Sequence, residues 1–399
     1  MTLPQPDPDV LLIGGGAASA AAAAELREQG FGGSITLVTR ELDPPYHRPA
    51  VTKELLGPGA DNHDPTIMPP DWWSANDIRL RTRSAVTALD TGAHIVTLAD
   101  KSTLRYGKAL IATGAMVRRL AVPGAALDGI HYLRAPANAQ KLRAEALGAR
   151  RALLVGGSFI AVEVAASLTA MGVPCTMVMP ASAPLAISFG SAVADHVTRL
   201  LRERGVQLAC GKQVVEFTGT DRVNGVLTDT GEHLACDLVV VGIGAVPDTK
   251  LGLKAGLEIG PTGGFACDEQ LRTSAEDMYA AGDVCEYASV VHGRRIRVEH
   301  EVHAASQGRS VARGMLGSAA PHTDVPYFWT DIADWARLEY VGPAAGWDDE
   351  RVTGSLDSNE FTVWYSLGDR LVAALTCGRP DDLIQARELM AASYRPAGR

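Results

Sequence analysis

The stretch Leu153-Leu154-Val155-Gly156-Gly157-Ser158-Phe159-Ile160-Ala161-Val162-Glu163 decides the fold of this chain. Its apolar start predicts a buried strand, its small residues predict a tight turn, and the residues after Ser158 predict the first turn of a helix. That order offers backbone N–H groups and the positive end of a helix to a pyrophosphate. The stretch therefore predicts a dinucleotide site in the middle of the chain.

The same pattern occurs near the N-terminus, in Val10-Leu11-Leu12-Ile13-Gly14-Gly15-Gly16-Ala17-Ala18-Ser19. An alanine-rich helix is predicted from Ala17 to Gln29, ended by Gly30, and residues 34–39 are predicted as the second strand of a βαβ unit. The spacing Gly14-x-Gly16-x-x-Ser19 has a small serine where the full fingerprint has its third glycine. Two such units in one chain predict two dinucleotides.

Composition sets the general class of the protein. A chain of 399 residues with 46% hydrophobic residues exceeds one ordinary core, so we expect two or three globular domains. The net charge of -9 argues against nucleic acid as the main partner. Apolar runs are shorter than the roughly 20 residues that span a bilayer, and residues 1–9 lack a signal-peptide pattern. We therefore expect a cytoplasmic protein without a membrane partner.

The six cysteines are scattered, without a C-x-x-C pair and without the spacing of metal ligands: Cys175, Cys210, Cys236, Cys267, Cys285 and Cys377. This distribution predicts free thiols in a reducing compartment and no metal site. It also argues against the disulfide-reductase type of flavoenzyme, which needs a cysteine pair near its first dinucleotide fold.

Three further segments carry a resemblance to a known family: Arg48-Pro49 with Lys53, Ile111-Ala112-Thr113-Gly114, and Tyr279-Ala280-Ala281-Gly282-Asp283-Val284. They resemble the flavin-binding signatures of FAD-dependent pyridine nucleotide-disulfide oxidoreductases. Within that superfamily they are most similar to the putidaredoxin, rubredoxin and Rieske-dioxygenase ferredoxin reductases, and some features resemble proteins of the apoptosis-inducing-factor type. The resemblance covers essentially the whole chain.

The resemblance implies an α/β fold with two Rossmann-like dinucleotide-binding domains, the second inserted in the first, and a small α+β C-terminal domain. We expect an FAD-binding domain over residues 1–120 and 243–320, an NAD(P)-binding domain over residues 121–242, and a C-terminal interface domain over residues 321–399. The last of these concentrates aromatic residues among β-prone segments. We interpret most of those aromatics as core packing.

The FAD site implied by the resemblance combines the first glycine turn with the three family segments. Asp283 is expected to accept hydrogen bonds from ribityl hydroxyls, and Trp329 to lie beside the flavin ring. The complete predicted set for FAD is Gly14, Gly16, Ala17, Ala18, Arg40, Glu41, Arg48, Lys53, Val86, Ala112, Thr113, Gly114, Asp283, Val302 and Trp329.

Lys53 and Glu163 are the predicted catalytic pair. In the family the matching glutamate approaches the flavin edge and pairs with the matching lysine. A buried lysine needs such a partner, and its cation stabilises an anionic reduced ring. The predicted set for the nicotinamide nucleotide is Gly156, Ser158, Phe159, Ile160, Glu163, Met179, Gly242, Ile243 and Gly244.

The second dinucleotide unit departs from the family pattern. It reads Gly156-x-Ser158-x-x-Ala161, so only the first of three glycines is present. At the end of the next strand, Met179 stands where an acidic residue would hold the adenosine ribose. No arginine follows that could clamp the 2′-phosphate of NADP. We therefore expect weak NADH binding, and NADH in preference to NADPH.

Other departures lie near the predicted flavin. Glu301 and His303 occupy a segment in which the family commonly has an aromatic residue, and an extra carboxylate there is expected to disfavour a dinucleotide or change what the flavin reduces. Ile332 stands where many ferredoxin reductases have glutamine.

The function predicted from these features is an NADH-dependent FAD enzyme that reduces a ferredoxin-type iron–sulfur protein serving a P450 or Rieske oxygenase. The run Arg294, Arg295 and Arg297 suits either an acidic partner or a solvated face. Alternatives are an NADH oxidase or an apoptosis-inducing-factor-like redox protein. A scaffold that uses FAD only structurally is disfavoured because Lys53 and Glu163 are both present. A monomer and a homodimer both fit the sequence.

Overall fold

The computed structural model describes residues 7–392 except residue 58 and residues 344–345. Two ends of the predicted domains lie outside the described part. They are residues 1–6 of the FAD-binding domain and residues 393–399 of the C-terminal domain. Within that part, no helix is both long enough and apolar enough to cross a membrane.

A five-stranded parallel sheet forms around the first glycine-rich stretch. Its central strand is fully buried, which explains the unbroken apolar run before Gly14. The predicted alanine-rich helix is confirmed as Ala17–Glu28 and the predicted second strand as Ile35–Val38. In spatial order the strands are Met278–Ala280, Lys108–Ile111, Val10–Ile13, Ile35–Val38 and Ile78–Arg81.

A second five-stranded parallel sheet repeats this arrangement around the central stretch. Val10 pairs with Ile35 in the first sheet, and Ala152 pairs with Cys175 in the second. The fold predicted from the two stretches, a pair of Rossmann-like units, is thus confirmed. In spatial order the strands are Gln207–Cys210, Cys175–Met179, Ala152–Val155, Leu238–Val241 and Ile130–His131, and the helices are Pro136–Ala146, Phe159–Ala170 and Ala186–Glu203.

The last of these helices, Ala186–Glu203, is interrupted near its start. Leu185 has a φ of 60° and Gly190 a φ of 75°, so the first turn is separated from the rest by a kink. Periodicity alone does not reveal a helix that is interrupted by a left-handed residue.

The chain enters and leaves the second unit side by side. Ala115–Val117 and Ala245–Pro247 form a two-stranded antiparallel ribbon between the two parallel sheets. Three small three-stranded sheets complete the two units: Val86–Asp90, Ile95–Leu98 and Thr103–Arg105; Val214–Gly219, Val223–Thr228 and His233–Ala235; Phe265–Cys267, Cys285–Ser289 and Arg294–Arg297. The ribbon gives the insertion a structural basis, while the residue boundaries of the domains stay a prediction.

The C-terminal part is a five-stranded antiparallel sheet with one helix packed on it. Trp335, Trp364 and Tyr365 are buried there, as expected for core aromatics. In spatial order the strands are Tyr327–Ile332, Ala336–Val341, Arg370–Cys377, Glu360–Leu367 and Asp349–Ser355, and the helix is Pro380–Ala392. The remaining helices are Trp72–Ala75, Lys250–Lys254 and Glu301–Met315, with 3-10 turns at Arg48–Thr52, Ala60–Asn62 and Gly282–Val284.

Gly308 lets two helices of the first unit approach closely. It lies on the helix Glu301–Met315, and a Cβ atom built there would be 2.1 Å from the carbonyl oxygen of Ala18 on the helix Ala17–Glu28. We expect Gly308→Ala to lower the thermal unfolding midpoint by several degrees, because overpacking costs about 1–3 kcal/mol. Gly314→Ala is the matched control on the same helix, where the nearest atom lies 3.3 Å away in the Tyr279 ring.

The control should be neutral or slightly stabilising because alanine is the better helix former. Equal midpoints for the two variants, measured by circular dichroism on the intact protein, would contradict this account of the helix contact.

Candidate functional site

The first glycine turn makes an open cradle at the edge of the first sheet. Gly14 has a φ of 122°, and a Cβ there would come within 2.1 Å of the carbonyl oxygen of Ala112. A Cβ at Gly16 would meet nothing within 4 Å, and Gly16 directly precedes the helix Ala17–Glu28. The turn is thus closed towards the sheet and open in front of the helix, where N–H groups and the helix dipole favour an anion.

A cavity of about 710 Å³ runs from this turn to the second one. A second cavity of about 250 Å³ lies next to it and shares Gly15, Glu41 and Thr113 with it. The larger cavity is lined by the predicted FAD residues Gly16, Ala17, Ala18, Glu41, Arg48, Lys53, Ala112, Thr113, Gly114, Asp283, Val302 and Trp329. The smaller one is lined by the other three, Gly14, Arg40 and Val86.

The predicted nicotinamide residues divide into two groups. Ser158, Phe159, Ile160, Glu163 and Gly244 line the far end of the larger cavity. The remaining four, Gly156, Met179, Gly242 and Ile243, line neither of these two cavities.

Lys53 and Glu163 meet where the two units adjoin. The Lys53 Nζ lies 3.0 Å from Oε1 of Glu163, and their side chains are only 11% and 8% exposed. The carboxylate also accepts hydrogen bonds from the hydroxyl groups of Thr52 at 2.5 Å and Thr330 at 2.7 Å. Sequence reasoning missed both threonines, which are distant from Glu163 in the chain. With hydrogen bonds to both of its oxygens, the Glu163 carboxyl group is fixed in position beside the lysine.

Arg48 belongs to a second buried network along the cavity wall. Its guanidinium donates to Glu41 at 2.9 Å and to Tyr46 Oη at 2.7 Å, and Tyr46 donates to the other oxygen of Glu41. Burial disfavours the charge on Glu41, but the Arg48 cation and these hydrogen bonds outweigh it and lower the Glu41 pKa. The network fixes Arg48 as a rigid cation beside the cavity.

Arg134 is a cavity residue that sequence reasoning missed. Its guanidinium lies on the wall, 3.4 Å from Oδ2 of Asp283, and its backbone oxygen accepts a hydrogen bond from Arg48 at 2.8 Å. Burial and the neighbouring Arg48 cation lower the Arg134 pKa. No motif surrounds Arg134 in the sequence, so only the fold reveals it. Two guanidinium groups in this wall suit an anionic ligand.

The second glycine turn is built like the first but is covered differently. Gly156 has a φ of 120°, and Ser158 donates its hydroxyl to the carbonyl oxygen of Gly242 at 3.2 Å. Met179 is fully buried, with its sulfur 2.6 Å from a Cβ built at Gly157. In the first unit, Thr39 occupies the corresponding place beside Gly15. An apolar side chain therefore closes the second turn where a polar one closes the first.

Aromatic side chains form the wall between Lys53 and the C-terminal sheet. Two cations lie near the Trp329 ring. The Lys53 Nζ is 5.9 Å from the ring centroid, and the Arg337 Cζ is 5.2 Å from it. The neighbouring Phe328 stacks on His300 with the ring centroids 3.9 Å apart. Ile332, expected close to the flavin, is fully buried in the core and does not line the cavity.

Glu301 lines the cavity, and both oxygens of its carboxylate are bonded to the segment that contains His47 and Arg48. Its Oε1 lies 2.7 Å from Nδ1 of His47, and its Oε2 accepts the Arg48 N–H at 2.7 Å. The carboxylate is turned towards this segment because the segment supplies both of its partners.

Each of the three arginines offered as a docking patch donates hydrogen bonds to backbone oxygens of the chain itself. Arg295 donates to the carbonyl oxygens of Cys267 and Glu286, and Arg297 donates to Asp283 O and pairs with Glu299. Arg294 donates to the carbonyl oxygen of Pro343. These bonds hold the three guanidinium groups to the chain itself, while Arg294 and Arg295 stay exposed, so an acidic partner and a solvated face both still fit the run.

The paired sheets, the shared cavity and the buried Lys53–Glu163 pair define an oxidoreductase built on two dinucleotide folds. Comparison with known proteins identifies the class more closely. Residues 8–308 match the pyridine nucleotide-disulphide oxidoreductase family, and residues 327–398 match the reductase C-terminal family. The chain belongs to the pyridine nucleotide-disulphide oxidoreductase family.

Relatives resemble the chain over nearly its whole length. Rhodocoxin reductase of Rhodococcus erythropolis is 33% identical over 383 residues, which cover 96% of this chain and 89% of that protein. Putidaredoxin reductase of Pseudomonas putida is 31% identical over 388 residues, with 96% and 91% coverage.

Solved structures give the same result. The ferredoxin reductase of the CYP199A2 system from Rhodopseudomonas palustris superposes with a TM-score of 0.91 at 30% identity, covering 98% of this chain and 96% of that one. The reductase of the covalent putidaredoxin reductase–putidaredoxin complex also gives a TM-score of 0.91 at 30% identity, with 98% and 94% coverage.

Four imidazoles of low exposure lie at the cavity wall or in the core, and His300 is the one of these four that lines the cavity. Burial lowers the pKa of His300, His322 and His292 to about 4, and lowers the pKa of His303 well below its ordinary value. The rings of His303 and His322 have centroids 5.3 Å apart and both lie against Tyr287. Neither ring nitrogen of His303 has a hydrogen-bond partner within the described residues.

These histidines predict acid sensitivity. On unfolding they regain their ordinary pKa of 6.5, so between pH 6.5 and about pH 4 the unfolded state binds more protons. Stability is therefore fully present above pH 6.5 and falls as the pH drops, by up to about 1.4 kcal/mol per unit for each histidine. We expect His303→Asn to reduce the loss of thermal midpoint between pH 7.5 and pH 5.

His63→Asn, at an exposed position, is the control and should leave the pH dependence unchanged. The explanation is wrong if His303→Asn and the wild type lose the same number of degrees over this pH range.

Proposed function

We propose that the chain is an FAD-dependent NADH:ferredoxin reductase that supplies electrons to an iron–sulfur protein serving a P450 or Rieske oxygenase. The observation that carries the proposal is the continuous cavity between the two glycine turns, with the Lys53–Glu163 pair at its junction. The chain's family and the reductases with which it aligns along nearly its whole length support it.

The residues of the first unit suit FAD. The open space in front of Gly16 and the helix that follows suit the pyrophosphate, and Arg48 and Arg134 add cations to the same wall. Asp283 supplies carboxylate oxygens for ribityl hydroxyls. The smaller cavity beside Arg40 and the larger one together provide an elongated space for an extended dinucleotide.

When bound, FAD accepts two electrons from a reduced nicotinamide and releases them one at a time. Lys53 acts electrostatically. Its ammonium group is largely shielded from solvent, is bonded to Glu163 and lines the cavity. Thr52 and Thr330 keep Glu163 in place by donating to its carboxylate. Phe159 and Ile160, on the same helix as Glu163, offer the nicotinamide ring an apolar surface at the end of the cavity away from the first glycine turn.

NADH is the proposed donor, in preference to NADPH. Met179 offers no hydrogen bond to a ribose, and Lys212, whose backbone N–H bonds to the Met179 carbonyl oxygen, has its side chain paired with Glu232. A 2′-phosphate would therefore have to compete for that lysine. We propose a cytoplasmic location because the six cysteines are free thiols, as a reducing compartment keeps them.

An anaerobic stopped-flow experiment tests the function. We expect NADH to bleach the visible absorbance of the flavin, and a ferredoxin to be needed for fast cytochrome c reduction. Lys53→Met should slow bleaching by about 10–100-fold because the cation is lost. Glu54→Gln, at the exposed neighbouring position, should leave it unchanged. Bleaching by neither NADH nor NADPH would contradict the proposal, and rapid oxygen consumption without ferredoxin-dependent reduction would favour the oxidase.

Met179 gives a prediction for the donor site. A glutamate at this position restores a charge-assisted acceptor for ribose hydroxyls, so we expect Met179→Glu to lower the NADH dissociation constant by about 10-fold or more. The constant is measured from the saturation of the anaerobic bleaching rate.

Met179→Gln is the matched control and should give a smaller gain, because its acceptor is neutral. Thermal midpoints of both variants report whether the substituted side chain disturbs the buried strand. An unchanged or raised dissociation constant in a stably folded Met179→Glu protein would refute the assignment.

A further inference from the structure

Glu301 joins two elements that are distant in the chain. It is the first residue of the helix Glu301–Met315, and its side chain is 14% exposed. Both of its oxygens are used on one segment: Oε1 lies 2.7 Å from Nδ1 of His47, and Oε2 accepts the Arg48 N–H at 2.7 Å. The carboxylate thus bonds to a side chain and to a backbone N–H of two neighbouring residues.

The segment held by Glu301 carries two of the cations of the predicted FAD set, Arg48 and Lys53. Arg48 begins the 3-10 turn Arg48–Thr52, and the next residue, Pro49, has no N–H to donate. Ala50 N–H bonds to His47 O at 3.2 Å, and Lys53 N–H bonds to Ala50 O at 3.2 Å. The Arg48 N–H at the front of the turn is satisfied by Glu301. A continuous chain of bonds therefore leads from Glu301 to the backbone of Lys53.

We propose that Glu301 is a positioning residue, which holds segment 47–53 so that Arg48 and Lys53 face the cavity. This role rests on the proposed function, in which Arg48 and Lys53 bind the flavin cofactor and support its reduction. Glu41 and Glu163 fix the two cationic side chains, whereas Glu301 fixes the backbone between them. The opposing hypothesis is that the negative charge of Glu301 repels an incoming dinucleotide.

Two substitutions distinguish positioning from repulsion. Glu301→Gln removes the charge but keeps an oxygen for the Arg48 N–H and an N–H for the His47 ring. Glu301→Ala removes both contacts. If Glu301 positions the segment, Glu301→Gln resembles the wild type and only Glu301→Ala is impaired. If its charge repels the dinucleotide, both variants bind NADH more tightly and to a similar extent.

The measurements are made on purified protein with FAD bound and after FAD removal. In Glu301→Ala we expect faster hydrogen–deuterium exchange in peptides covering residues 46–57 and an FAD dissociation constant raised by about tenfold, as for one lost charge-assisted bond. We also expect the limiting rate of anaerobic bleaching to fall while the NADH dissociation constant stays within about twofold. Glu54→Gln, which changes the charge of the same segment at an exposed position, should behave as wild type.

A double-mutant cycle completes the test. Glu301→Ala already removes the bond to His47, so adding His47→Ala should have less effect in that background than in the wild type. Unchanged exchange in Glu301→Ala, fully additive effects, or tighter NADH binding by Glu301→Gln would each overturn the positioning role. The exchange and FAD-binding data remain informative if NADH fails to reduce the flavin, so failure of the proposed function is a separate result.

Discussion

The buried ion pair between Lys53 and Glu163 is the constraint on which the rest of the site depends. Glu163 lies on the helix that follows the second glycine turn, and Lys53 lies on the segment that follows the first unit's second strand. Desolvating two such charges is costly unless each is fully partnered. Thr52 and Thr330 supply the missing hydrogen bonds, so both parallel units and the C-terminal sheet contribute to one carboxylate. The pair therefore requires all three parts of the chain to be in place.

The polar groups along the cavity follow the same principle. Arg48 is held through its side chain by Glu41 and Tyr46, and through its backbone by Glu301. Each cation that faces the cavity is thus fixed by a group on the protein side before a ligand arrives. Such preorganisation lowers the ordering cost of binding. It also keeps the positive charge fixed in a low-dielectric space, where it acts most strongly on a developing negative charge.

Sequence reasoning recovered the parts of this arrangement that are local in the chain. Glycine turns between an apolar run and a helix have a clear pattern, so the two parallel sheets and their connections followed from Gly14 and Gly156. Contacts across the chain have no such pattern. Arg134 has no motif around it, and Thr330 follows the predicted site residue Trp329 without any sign of its partner, so only the fold brings them to Asp283 and Glu163. The resemblance to a family marked Glu301 as a departure but did not indicate its partners, because His47 and Arg48 lie more than 250 residues away in the chain.

The two glycine turns differ in a way that suits two ligands with different lifetimes. A cofactor that stays bound gains from the first cradle, which has cations on its wall and Thr39 behind Gly15. A donor that must leave in every cycle needs less binding energy, because tighter ground-state binding does not speed the reaction once the site is filled. On the proposed function, the loss of an acidic contact at Met179 weakens the adenosine end of the donor, while the ring end keeps Phe159, Ile160 and the Lys53–Glu163 pair. The departure from the family pattern thus affects how long the donor stays bound more than the chemistry at its ring.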